Sequence, residues 1–276
     1  MLVVAVSPIV APTLGGYVTA ALRWQYIFII LVLIAIFIIA AIYFILPESR
    51  QPDPTFSLRP KPIAANFLKV IKEPQFYTYA LTGSVASAGL YAYIAGSPYV
   101  FMELFKASEK QYGWIFATIA MGLIGASQLN SLLLRKYKSE QIVRVALFCQ
   151  SITGLLLFVG ALTGKIELMS TILLIFVFLS CQGFTFPNTS ALSLAPFTSI
   201  AGSASALLGA IQMGLGSLAT ALVSFLSNHT ALPMTGVMAS CAVSSFIILT
   251  FGSKIIRFNT GAIDVEEQAA EMISTS

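Results

Sequence analysis

Between Arg23 and Glu48 the chain carries no charged residue, and the stretch is apolar from Trp24 to Pro47. A bilayer core about 30 Å thick takes roughly 20 apolar residues to cross as helix. Seven further runs fit the same description, at approximately 1–20, 76–97, 113–134, 145–163, 168–190, 202–226 and 232–252. The charged residues, 15 basic and 11 acidic, fall between these runs or in the tail. Placing an Arg, Lys or Asp at a helix centre costs about 2.5–3.5 kcal/mol on insertion scales. The expected fold class is therefore all-α integral membrane, with about eight transmembrane helices.

Composition supports that reading. Hydrophobic residues make up 57% of the chain and charged residues 9%, against about a quarter charged in soluble domains. Lipid resolves an excess that no soluble core of this length can hide. The net charge of +4 sits in short loops and is no nucleic-acid signal. Cys149, Cys181 and Cys241 each fall within an expected span, with no metal-ligand or disulfide spacing. They read as small apolar packers. No metal or cofactor is expected. With one His, no phosphate-binding Gly loop and no His/carboxylate cluster, enzymatic chemistry is not expected either.

If every run crosses, the loops alternate sides. One side carries eleven basic residues: Arg50, Arg59, Lys61, Lys69, Lys72, Arg135, Lys136, Lys138, Arg144, Lys254 and Arg257. The other carries Arg23, Lys106, Lys110 and Lys165. The positive-inside rule puts the eleven, and both termini, in the cytoplasm. The Pro-rich stretch 47–75 reads as a cytoplasmic connector, since Pro47, Pro52, Pro54, Pro60 and Pro62 forbid a continuous helix through it. Residues 63–72 are mildly amphipathic and expected along the membrane surface. The resulting division is 1–46 (two spans), 47–75 (connector), 76–252 (six spans) and 253–276, a tail that is polar and expected to fray from Asn259. Many transporters join two six-span halves through such a connector. The two-plus-six arrangement thus has one complete half, preceded by the end of another whose first four spans are expected to be missing.

Several segments carry more than apolarity. The first span contains Ser7-Pro8-Ile9-Val10-Ala11-Pro12-Thr13-Leu14-Gly15-Gly16, which physics alone allows as an ordinary kinked, closely packed helix. Ser97-Pro98-Tyr99-Val100 closes the third span, Gly183 to Ala191 (GFTFPNTSA) closes the sixth, and Ala201 to Gly209 (AGSASALLG) opens the seventh. In this order and spacing they resemble the bicyclomycin-resistance (Bcr/CflA) subfamily of drug–proton antiporters in the major facilitator superfamily, over approximately residues 1–258. Ala11, Pro12, Gly15 and Gly16 are similar to that superfamily's antiporter motif, with Ala11 where a Gly belongs. Asn130, Arg135 and Lys136 resemble its loop after the eighth span. The resemblance aligns this chain with spans five to twelve of a partial major facilitator fold.

What this resemblance implies is alternating access: two bundles rock about a midplane site and expel a drug-like small molecule as protons enter. It also implies a substrate cavity walled by the third and sixth spans. Ser84, Ser87 and Tyr91 lie on one side of the third span, with Tyr93 on a neighbouring face; Thr185 and Asn188 lie on the sixth. For Asn188, beside the break expected at Pro187, an interhelical hydrogen bond is an equal alternative to cavity lining. Ala201, Ser205 and Gly209 form a small-residue face for close helix approach, either static or sliding. No ionisable residue sits mid-span, so no proton site is assigned; the resemblance implies one in early spans. The implied partners are the exported compound, protons, the bilayer and a four-span N-terminal segment. This chain alone is expected to be inactive. A carrier for another solute, or a non-transporting membrane remnant, are the alternatives.

Overall fold

A backbone whose peptide groups have no water to bond must satisfy them internally, and each apolar run does so as helix. The computed structural model describes the backbone of residues 18, 21–45 and 60–274, and side chains only as far as 256. The first expected span (1–20) and its Ala11, Pro12, Gly15 and Gly16 lie outside the described residues, as does most of the Pro-rich connector. The described helices are α1 (Gln25–Ile45), α2 (Pro60–Lys72), α3 (Pro74–Pro98), α4 (Glu109–Leu133), α5 (Ser139–Thr163), α6 (Leu168–Leu194), α7 (Ala201–Phe225) and α8 (Leu232–Ser274). No strand occurs among the described residues.

The chain divides into two compact units, Met1–Pro62 and Ile63–Ser276. In the first, α1 buries none of its residues, as suits a helix whose whole circumference is apolar. In the second, α3 and α6 are central. Helix α3 packs against α8, α7 and α6, while α6 packs against α4, α5 and α3. A large cluster fills the bundle, with Tyr93, Phe101, Leu157, Ile175, Phe178 and Met238 all buried within it. A smaller one seats α2: Val70 is fully buried with Phe76, Ala80 and Phe197, and the Phe76 and Phe197 rings meet edge to face at 5.8 Å.

Six described helices are long and apolar enough to cross a membrane: α1, α4, α5, α6, α7 and the Leu232–Ile256 part of α8. Helix α3 has the length but not the apolarity. Fifteen of its 25 residues are buried, so it faces protein more than lipid and tolerates Thr78, Thr82, Ser84 and Ser87. The expected connector begins its helix at Pro60, because the first helical turn has no use for the missing N–H.

Three features depart from the sequence reading. At the Ser97-Pro98-Tyr99-Val100 motif the helix does not simply stop. It widens into a π-helical turn over Tyr99–Leu104, closed by Phe105 N–H donating to the Val100 carbonyl at 3.1 Å. Pro98 supplies no N–H, which frees the preceding turn to re-register. At Pro187, α6 runs on unbroken through Leu194. And α8 continues as helix through Ser274, where a frayed tail was expected. Residues 265–272 (VEEQAAEM) are rich in strong helix formers, a signal that outweighed their polarity.

Short turns fix the helix starts. At α4, Ser108 Oγ accepts from Gln111 N–H (3.3 Å) and Gln111 Oε1 accepts from Ser108 N–H (2.8 Å), a reciprocal capping box. At α5, Gln141 Oε1 accepts from Lys138 N–H at 3.2 Å. Gly164 ends α5 at φ +64°, a left-handed position that glycine takes without strain.

Candidate functional site

The site is built on the two central helices. On α3, Tyr91 is the half-buried member of the expected polar stripe. Its ring lies against α7 at Gly216, where an added Cβ would stand 2.6 Å from the ring. Its hydroxyl points at Met213 Sδ, 3.8 Å away. Leu81 and Ile94 are exposed on the same helix, at 37% and 46%. Tyr91 therefore sits where α3 and α7 meet on an accessible side of the bundle.

The other five cavity candidates are buried inside it. Ser87 Oγ accepts from Gln182 Nε2 of α6 at 2.6 Å. Gln182 Oε1 in turn accepts from Gln150 Nε2 of α5 at 3.3 Å. Three helices are thus joined by a chain of neutral amides and a hydroxyl. Tyr93 turns away from Tyr91 into the core and stacks on Phe116 of α4, with centroids 6.1 Å apart. Ser84 is fully buried with no hydrogen-bond partner for its Oγ. Thr185 Oγ1 donates to the Cys181 carbonyl one turn back, at 2.9 Å.

Asn188 has two partners. Its Nδ2 donates to Asn130 Oδ1 of α4 at 2.7 Å and to the Phe184 carbonyl at 2.8 Å. The second bond lies within α6, to the carbonyl one turn back; the first ties α6 to α4. Of the two readings left open for Asn188, the interhelical hydrogen bond is the one made. Close approach of these two helices is set by Gly183, where an added Cβ would collide with the Leu123 carbonyl and stand 3.0 Å from Ala126 Cβ.

The expected packing face on α7 is not the one used within this bundle. Ala201 and Ser205 are exposed, and an added Cβ at Gly209 would meet open space. The buried side of α7 is Ala204, Leu208, Gly216, Ala219 and Val223. A stripe spaced by four begun at Ala201 lies about a sixth of a turn from one begun at Ala204, and over this first part of α7 that offset separates exposed Ala201 and Ser205 from buried Ala204 and Leu208.

Gln150 and Gln182 escaped the sequence reading. Their signal was present, because a carboxamide inside an apolar run must find a partner across a helix interface. Among the described residues, no carboxylate, Lys, Arg or His lies in the middle of a span. Among the described residues Glu103 pairs with exposed Lys106, at 3.9 Å, an arrangement of little energetic weight. No group of three or more His, Cys, Asp or Glu capable of holding a metal occurs among the described residues.

The two central helices thus carry buried polar side chains without a mid-span charge among the described residues. Residues 1–221 match the family model of the Major Facilitator Superfamily. The chain belongs to that superfamily. It is a multi-pass membrane protein and not an enzyme. The chain is 29% identical over 250 residues to the bicyclomycin resistance protein homolog of Haemophilus influenzae, covering 91% of this chain and 63% of that protein. It is 27% identical over 246 residues to the uncharacterized MFS-type transporter YdgK of Bacillus subtilis, covering 88% and 60%. It is 24% identical over 252 residues to the multidrug resistance protein MdtL of Escherichia coli, covering 90% and 61%. The resemblance to the bicyclomycin-resistance subfamily is borne out by these relatives. This major facilitator chain spans under two thirds of the length of each.

Proposed function

We propose that a transporter carrying this sequence exports drug-like small molecules from the cell in exchange for protons, by alternating access. The observation that carries the reading is the central pair α3 and α6, polar yet uncharged, in a chain of this superfamily. Hydroxyls, amides and aromatic rings without fixed charge suit bulky amphipathic or cationic cargo, partly through attraction of a cation to a ring face. The names of the relatives, bicyclomycin resistance and multidrug resistance, support the same cargo class.

Tyr91 is the residue assigned to the cargo, because its ring is half-buried where α3 meets α7, against Gly216. Ser87 and Asn188 are assigned to holding the helices that shape the cavity, through Gln182 and Asn130, and Ser84, Tyr93 and Thr185 to the buried packing behind it. The division into a two-span segment at 1–46, a connector, a six-span bundle and a tail belongs to this reading. So does the placement of the protein in the cell's inner membrane, with its basic loops and both termini in the cytoplasm.

The test is efflux from energised cells lacking their own exporters, by a full two-bundle transporter containing this sequence. Export should stop with an uncoupler. Tyr91→Ala should change which compounds are exported while membrane levels stay normal. An unaltered cargo profile would remove Tyr91 from the cavity, and export indifferent to the uncoupler would remove proton coupling. For orientation, single cysteines at Ser139 and Ser108 in a cysteine-free background should be protected from and open to impermeant thiol reagents, respectively; labelling of the Ser139 variant from outside reverses the assignment.

A further inference from the structure

Helices α4 and α5 both pack on α6 and make no substantial contact with each other. They leave a groove of about 320 Å³ between them. Leu133 and Tyr137 form one wall, Ile142 and Val145 the other, and Cys181 and Phe184 of α6 the floor. The lining is almost wholly apolar. At the end of the groove the α4–α5 turn borders a second, open hollow of about 440 Å³, lined by Arg135, Lys136, Lys138 and Glu140 together with Leu134 and Leu192. Tyr137 lines both, so the apolar groove and the basic hollow adjoin.

The three cations are exposed, and none of them makes an ion pair among the described residues. Glu140, also exposed, reduces the local charge without cancelling it. Gln141 lines the groove mouth while its Oε1 caps Lys138 N–H, which pins the basic turn over the groove. Arg144 opens on a different hollow, with Tyr79 and Leu249, and takes no part.

We propose that this adjoining pair is a binding site for an anionic phospholipid, with its phosphate headgroup on the Arg135–Lys138 turn and an acyl chain in the α4–α5 groove. The complementarity is twofold. A basic cluster at the end of membrane helices attracts anionic headgroups, and the groove beside it offers an apolar slot of the kind a lipid tail fills. A soluble anion would use only the hollow; a zwitterionic lipid, whose phosphate is offset by its own cation, would gain less from the three exposed cations.

The test uses the full chain in mild detergent and native mass spectrometry, with phosphatidylglycerol and phosphatidylcholine of matched acyl chains. Phosphatidylglycerol should be retained about 25-fold better, given roughly five-fold per nearby cation and a net of two positive charges once Glu140 is set against the three cations. The R135Q/K136Q/K138Q variant should lose that preference, whereas K69Q/K72Q should keep it. V145W, which fills the groove from an exposed position, should lower phosphatidylglycerol retention with the basic turn intact. Free glycerol phosphate should not displace the lipid. Circular dichroism and melting confirm that each variant is folded. Equal retention of the two lipids overturns the proposal. So does a preference that survives the triple substitution, and so does a V145W variant that binds phosphatidylglycerol as the parent does.

Discussion

Helices α3 and α7 are both 25 residues long and both carry small and hydroxylated side chains, yet the bundle treats them oppositely. Helix α3 buries Ser84, Ser87, Ser97, Thr78 and Thr82. Helix α7 leaves Ala201 and Ser205 exposed and opens Gly209 to empty space. The difference lies in neighbours. Helix α3 is packed by α6, α7 and α8, whereas α7 packs substantially only on α3. A serine on α3 is enclosed by protein and needs a partner or tolerates none; a serine on α7 has room. Residue type states that a face can be approached closely, and only the packing decides whether it is.

The comparison breaks most visibly at Gly183, the tightest contact between the central helix α6 and α4. A side chain there collides with backbone, which cannot swing aside as a side-chain tip can. Gly183→Leu should lower stability by about 3 kcal/mol, the upper part of the overpacking range. Folded yield and melting temperature in detergent should both fall sharply. A Gly183→Leu protein that melts like the parent would mean that α4 and α6 do not meet at this glycine.

The amide chain is the next step down. Gln182 bridges Ser87 of α3 and Gln150 of α5, so Gln182→Ala strands two buried polar partners at once. Hydrogen bonds between membrane helices average about 0.6 kcal/mol and reach about 1.7, and roughly 1–2 kcal/mol is expected for losing both. The double-mutant cycle of Gln182→Ala with Ser87→Ala should show coupling near the average for one bond. Strict additivity of the two would show that the 2.6 Å contact carries no energy.

These two sites also mark how much was legible beforehand. The described spans were readable, because a run without charge has only one use in a bilayer, and even the modestly apolar α3 was bounded within a few residues. The buried partners were not. Periodicity gives the side of a helix on which Ser87 lies, but not that Gln182, 95 residues later, is the group it faces. The same gap sent Tyr93 to the cavity when its ring belongs to the core, and left Asn188 undecided until Asn130 was in view. The π turn at Tyr99–Leu104 had one marker, Pro98, which announces a lost donor without saying how the helix re-registers. The α8 extension is masked for a different reason: a polar composition points to fraying, while the helix propensity of its Glu, Gln and Ala residues carries the helix through Ser274.

The smallest effect is the most discriminating. Gly209 belongs to the Ala201–Ser205–Gly209 stripe, which by spacing alone should be as intolerant of bulk as Gly183. The bundle gives a side chain there free space, so Gly209→Leu should change the stability of this chain by no more than about 0.5 kcal/mol, the range of substitutions that touch nothing. The paired measurement is melting temperature for Gly209→Leu and Gly183→Leu in the same detergent. If the face has a function, it is one that stability does not report: under the alternating-access reading, a bulky residue at Gly209 should slow efflux by a full transporter while leaving its membrane level unchanged. Equal destabilisation by the two substitutions would show that the stripe on α7 is in tight contact after all, and the contrast with α3 would fail at its clearest point.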